Sequence, residues 1–331
     1  MILFLGNTYE NLLTGQTSED NSMTRQPHDQ FAKQYLQELL TALGKVEISH
    51  EVSPEVRQVD VWFVPTAPLT LTQETTSARG LLGRLASTAC LLEPFSNPPK
   101  EMEVRNCLLK LFAIFSQFQR QVKQNKNTLK EGDLPRLWIL SPSFSQARLD
   151  GFGAKLKLQQ NWPEGVYFLA PSLRTALVAI NQLPVTKQTL WLRVLGNGDT
   201  QRQAVHELER LPKGQPIREK ILELMARWHV SLQKSENLTE EAQELLMNLS
   251  SAYLQWREET LQEGRQEGSL EGQRLILQNL LEGRFSLLDQ ELSDLIPMIM
   301  ELPVTERTQL LLNLSNLSRE ELLEQFQGKG L

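Results

Sequence analysis

The run RQVDVWFVP, residues 57–65, constrains the fold more than any other stretch of the chain. Its apolar character is nearly continuous, the pattern of a strand covered on both faces. Alternation sets Val59, Val61 and Phe63 on one face and Gln58, Asp60, Trp62 and Val64 on the other. A carboxylate on such a strand is costly unless a metal ion, a cation or several hydrogen bonds compensate it. Asp60 is therefore expected to have a partner held elsewhere in the chain.

The elements around this strand follow in a readable order. Apolar residues at Phe31, Ala32, Tyr35, Leu36, Leu39, Leu40 and Leu43 predict a helix over 28–43, stopped by Gly44. KVEISHEV is a strand, and SPE a turn before the Asp60 strand. The polar, Thr-rich TAPLTLTQETTSAR is a connection, with a short helix over 81–86. ACLLEPF, residues 89–95, is a third strand, and a long helix over 100–126 follows with Pro99 near its start. RLWILSP and GVYFLAP are further strands, and LRTALVAINQL, residues 173–183, is expected to be helix. LPVTKQTLWLRVLG is a second helical element, and 201–256 is nearly all helix, interrupted at LPKGQP. The order α-β-β-β-α-β predicts an α/β fold with a mixed sheet and an all-helical C-terminal half.

Composition narrows the function classes. A net charge of −6 excludes a globally basic nucleic-acid binder but leaves room for a local basic groove. Cys90 and Cys107 form no disulfide framework and lack zinc spacing, which points to a reducing, cytoplasmic setting. His28, His50, His206 and His229 make no HxxxH or HExxH pair. No apolar run approaches the roughly 20 residues of a membrane helix, so no membrane partner is expected. Residues 1–22 are expected to be a disordered N-terminal extension, with Met23 an alternative start.

In QEGRQEGSLEGQ, Gly264, Gly268 and Gly272 recur every four residues, each after a Glu. That spacing lines them along one side of a helix, and each costs about 1 kcal/mol relative to Ala. Close helix pairing, and hence a homo-oligomer through the helical C-terminal half, is one explanation. A soluble linker helix that tolerates Gly is the other. Residues 257–275 are this linker, and 276–331 a small Leu-rich helical domain with Ser318 as a cap.

Glu93 is a second acid at the end of an apolar strand. Two carboxylates on adjacent strands can hold Mg²⁺ or Mn²⁺, with waters completing the octahedron, and such an ion can activate water against a phosphodiester. A helix, three strands with Asp on the second and Glu on the third, then a helix and a strand, resembles the PD-(D/E)XK nuclease superfamily. HDQFAKQYLQELL, VEISHEVSPEVRQVDVWFVP, LLGRLASTACLLEPF and LPVTKQTLWLRVLG are similar to its recombination-promoting nuclease/transposase family. RLILQNLLEGRFSLLDQEL is similar to a small C-terminal helical domain of unknown function often appended there. The resemblance spans residues 23 to about 326.

The resemblance implies a restriction-endonuclease-like domain over 23–200, followed by a helical region over 201–256. It implies that Asp60, Glu93 and the Pro94 carbonyl ligate the metal, and that Asp29 and Lys33 are the helix-one acid and lysine. Phe95 stands where the family's ExK lysine should be. A cation from the following helix would replace that lysine, with Lys100 and Arg105 as candidates and Arg105 preferred because it lies within the helix. The basic residues Lys100, Arg105, Lys110, Arg120, Lys123, Lys126, Lys130 and Arg136 gather beside the implied site. Of these, Lys100, Arg105, Lys123 and Lys126 are DNA-contact candidates, and the same residues equally suit the solvated face of an amphipathic helix.

The primary expectation is a metal-dependent DNA endonuclease. The alternative is a catalytically degenerate nuclease fold that acts as a scaffold through its helical half. The Glu-Gly helix also resembles that of flagellar assembly protein H, over only about a dozen residues, and this reading ranks last.

Overall fold

The computed structural model describes residues 27–51, 58–66, 79–124, 130–157, 160–235 and 238–326. The expectations for residues 1–22 lie outside them. The chain divides into two compact units, Met1–Trp256 and Arg257–Leu331.

The first unit is built on a seven-stranded mixed sheet. Helix α1 (Pro27–Leu40) leads into β1 (Gly44–His50) and β2 (Val59–Pro65). Helix α2 (Gly80–Leu85), β3 (Cys90–Pro94), α3 (Glu101–Gln124) and β4 (Arg136–Ser141) follow. A second group comprises α4 (Gln146–Gly151), β5 (Lys155–Leu156), β6 (Val166–Phe168) and β7 (Thr175–Ala179). The spatial order is β1-β2-β3-β4-β7-β6-β5. β1, β2 and β3 pair antiparallel, whereas β4 runs parallel to β3 and β7 parallel to β4. The parallel β3–β4 step needs a crossover, and α3 supplies it.

Two apolar layers cover the sheet. On one side, Phe31, Tyr35, Leu36 and Leu39 of α1 pack with Val61, Phe63, Leu92, Trp138 and Val178. On the other, Leu91, Leu137, Ile139 and Leu177 meet Val104, Cys107, Leu111, Ile114 and Phe118 of α3. Those α3 residues are three and four apart, the spacing of one helix face.

The helices α5 (Leu190–Arg193), α6 (Gly198–Glu209), α7 (Pro216–Gln233) and α8 (Glu240–Phe285) come next. Leu192, Val205, Ile221, Met225, Leu245 and Leu249 join the same core as α1, so the helices up to Trp256 complete the sheet's first layer. The second unit holds the rest of α8 with α9 (Gln290–Glu301), α10 (Val304–Asn313) and α11 (Arg319–Phe326). Its core is Leu277, Leu281, Leu292, Ile299, Leu322 and Phe326. Ser318 caps α11 as expected. Its hydroxyl accepts from Glu321 N–H at 3.2 Å, and Glu321 accepts from Ser318 N–H at 2.8 Å. A Cβ added at Gly264, Gly268 or Gly272 would meet nothing within 4 Å.

Two expectations are corrected. Residues 173–183 are not a helix: TALVA forms β7, buried at every position. Arg174 sits just before it with φ +44°, a left-handed conformation that a helix cannot pass through. Its guanidinium donates to the carbonyls of Pro135 at 3.2 Å and Leu134 at 2.5 Å. A five-residue apolar run carries no decisive period, and burial on both faces selects the strand. Strict alternation also fails at the start of β2. Val59 joins Trp62 and Val64 in the α3-side core. On the paired strand, between Ile48 and His50, Ser49 has φ +58°, a left-handed conformation that interrupts the regular pleat.

Gly44 has a packing role beyond ending the helix. A Cβ there would fall 2.1 Å from the Val64 carbonyl oxygen of the paired strand. Gly44→Ala is therefore expected to destabilise the first unit by more than ~2 kcal/mol. Urea unfolding followed by tryptophan fluorescence measures this, and a loss below ~0.5 kcal/mol would show that β1 shifts freely.

Candidate active site

The β2–β3 register pairs Val61 with Leu92, Trp62 with Leu91 and Phe63 with Cys90. One step further sets Asp60 across from Glu93. The Asp60 N–H donates to Glu93 Oε1 at 3.3 Å. Each acid has an ammonium of its own. Lys33 Nζ of α1 lies 2.5 Å from Asp60 Oδ1, and Lys110 Nζ of α3 lies 2.6 Å from Glu93 Oε2. The result is a row, Lys33–Asp60–Glu93–Lys110, of two ion pairs joined through the Asp60 backbone N–H. The Glu93 side chain is 1% exposed, Lys33 3%, Lys110 11% and Asp60 22%, so Asp60 is the group that meets solvent. Cys107, one turn before Lys110, points its thiol at Glu93 Oε2 at 3.9 Å.

The electrostatics follow from this burial. Desolvation, and then the Asp60 charge, push the Glu93 carboxyl up to about 8, with Lys110 pulling the other way. Desolvation works against the Lys110 ammonium, but Glu93 and Asp60 outweigh it and hold its pKa above the ordinary value. Burial and the nearby Glu93 charge push the Cys107 thiol up, so it is no nucleophile.

The sequence candidates fall into two groups. Asp60, Glu93 and Lys33 converge. Asp29 lies in the first turn of α1, and Pro94 ends β3, buried. Arg105 is not part of the cluster. Its side chain is 53% exposed and pairs with Glu101 one turn back, at 3.0 Å. Lys100, just before α3, and Lys123 in its last turn are exposed, and Lys126 lies outside the described residues. Phe95 packs against the α3-side core, and its N–H donates to Leu140 O at 2.8 Å. Trp162 packs on Trp138, with ring centroids 5.6 Å apart, under the Arg84 guanidinium, and Trp191 is buried.

The cation that touches Glu93 is Lys110, which the sequence reading counted only among the basic residues of the α3 region. A signal for it was present. Lys110 falls on the apolar stripe of α3, between Cys107 and Leu111, where a solvated lysine would not stand.

Comparisons with family models, curated proteins and solved structures return no match. The site must speak through its own chemistry. Among the described residues, no three His, Cys, Asp or Glu side chains converge as a metal-binding group. The oxygen donors that meet here are the two carboxylates, a hard pair that suits Mg²⁺ or Mn²⁺ and not zinc. The Asp60 charge raises the cost of ionising Glu93, which a divalent cation would relieve, so the donor chemistry suits such an ion. Among the described residues no helix is long and apolar enough to cross a membrane.

Proposed function

We propose that the chain is a divalent-metal-dependent DNA endonuclease with a restriction-endonuclease-like core. The observation that carries this reading is the pair of opposed strand carboxylates with a buried lysine on one of them, delivered by the helix that follows. The order α1-β1-β2-α2-β3-α3-β4, with three antiparallel strands and a fourth parallel to the third, supports the fold assignment. In this reading Asp60, Glu93 and the Pro94 carbonyl hold Mg²⁺ or Mn²⁺. The ion, when bound, lowers the pKa of a coordinated water and polarises the phosphoryl oxygens. Lys110 takes the role that Phe95 cannot fill. Its ammonium orients the attacking oxygen and stabilises negative charge that develops on it. Lys100 just before α3, with Arg105 and Lys123 on its exposed side, would contact backbone phosphates.

One observation favours a second reading. Each carboxylate already has its own ammonium, and Glu93 is closed off from solvent. A cluster with no net negative charge and little access to solvent suits a silent nuclease fold that scaffolds other molecules. Cleavage of supercoiled plasmid in Mg²⁺ and in Mn²⁺ separates the two. Nicking that Asp60→Ala and Glu93→Ala both lose, by at least ~100-fold, is the expected result. No nicking by the wild-type chain, or nicking that the variants keep, selects the scaffold.

A further inference from the structure

We infer that Lys33 is an internal competitor for the metal: it occupies Asp60 in the ion-free chain and leaves when a divalent cation binds. The inference rests on the metal-site reading above and adds the regulation of that site. It starts from a charge balance. Two lysines face two acids, so whether Glu93 is ionised or protonated the cluster has no net negative charge to attract a divalent ion. One of the two pairs must open for the ion to gain. The Lys110–Glu93 pair is the poorer choice, because Glu93 is almost sealed and Lys110 is anchored in the α3 core stripe. Asp60 is the more exposed acid, and its only ion-pair partner among the described residues is Lys33. Lys33 Nζ lies 2.5 Å from Asp60 Oδ1, within the space a metal ligated by that oxygen would fill.

Lysine suits an exchangeable role. It is a point charge on a flexible four-carbon stem, not a rigid bidentate fork. Once displaced, the Lys33 ammonium is buried without a counter-charge, which is costly, so it must swing to solvent or to an incoming anion. The scissile phosphate is the anion that the proposed reaction brings to this place. Lys33 would thus keep the site closed until both metal and substrate are present.

The test uses the full chain and Mn²⁺ alone as the probe. Calorimetric titration compares wild type, Lys33→Gln, Lys33→Arg and Asp60→Ala. Lys33→Gln is expected to bind Mn²⁺ at least roughly tenfold tighter than wild type, since it removes one positive charge a few ångströms away. Lys33→Arg keeps the charge and should bind no tighter than wild type. Asp60→Ala should not bind. If Lys33→Gln binds no tighter while Asp60→Ala still loses binding, the competitor idea fails and the metal site stands. Binding that survives in Asp60→Ala overturns the metal site itself. A second measurement needs no variant. Amine acetylation mapped by mass spectrometry should find Lys33 protected in the ion-free wild-type chain and modified once Mn²⁺ is added. Protection that persists at saturating Mn²⁺ also overturns the inference.

Discussion

Lys110→Met is expected to lower the stability of the first unit by about 3–5 kcal/mol above about pH 8, where Glu93 is ionised, the range for breaking one partner out of a buried ion pair. The large effect comes less from the lost attraction than from the carboxylate left behind. Glu93 is 1% exposed, and Lys110 Nζ at 2.6 Å is the only ammonium on it among the described residues. Without Lys110 the acid must either stay charged in an apolar surround or take up a proton. Glu93→Gln combined with Lys110→Met removes both charges and should recover most of the loss, as replacing whole buried pairs often does. All six tryptophans lie at or before Trp256, so their fluorescence in a urea titration reports the first unit alone. A single variant within ~1 kcal/mol of wild type would mean that the pair forms only weakly.

The stability of the same unit should fall as pH rises from the ordinary carboxylate range to about 8. Glu93 holds its proton in the folded chain up to about 8, whereas in the unfolded chain it releases it near ~4.3. Below that range both states are protonated and nothing changes. Between the two values only the unfolded state has lost the proton, so each step up in pH favours unfolding. Above about 8 both states are ionised and this contribution levels off. The cumulative loss is on the order of a few kcal/mol. Glu93→Gln should flatten the slope, and a slope unchanged in that variant would assign the pH dependence to other groups. In Lys110→Met the descent should extend to higher pH, because Lys110 is what pulls the Glu93 pKa down.

The parts of the site that were legible in the sequence are those whose local pattern is at odds with their chemistry. Asp60 stands out because an acid interrupts an otherwise covered strand, and Glu93 because it ends a run of Cys, Leu and Leu. Their meeting rests on register, which the antiparallel order of β1, β2 and β3 fixes. Lys110 was harder to see. It is one of many basic residues on or near α3, and only its phase on the helix separates it from Arg105. Arg105 satisfies its charge one turn back with Glu101, a local pairing that sequence spacing already allows. Strand β7 was misread because its pairing with β4 is non-local. TALVA has few residues and little period, and its two covered faces come from elements far away in the chain. The helices from 201 to 256 were recognised as helices. That they complete the sheet's own core is a tertiary fact, carried by residues such as Val205, Met225 and Leu249.

The Lys33–Asp60–Glu93–Lys110 row also has a mechanical meaning. Helix α1 belongs to one covering layer and α3 to the other, and they have no common apolar core. The Lys33–Asp60 pair fastens α1 to β2, the Lys110–Glu93 pair fastens α3 to β3, and the hydrogen bond from the Asp60 backbone N–H to Glu93 joins the two strand ends, like a tie rod passed through a wall and fastened on both sides. Hydrophobic contacts hold each layer to the sheet but leave it some freedom to slide. Short ionic contacts allow much less, since their strength falls steeply as geometry worsens. Whatever loosens one fastening therefore slackens the hold on the opposite layer, and two helices far apart in the sequence feel a single event at the strand ends.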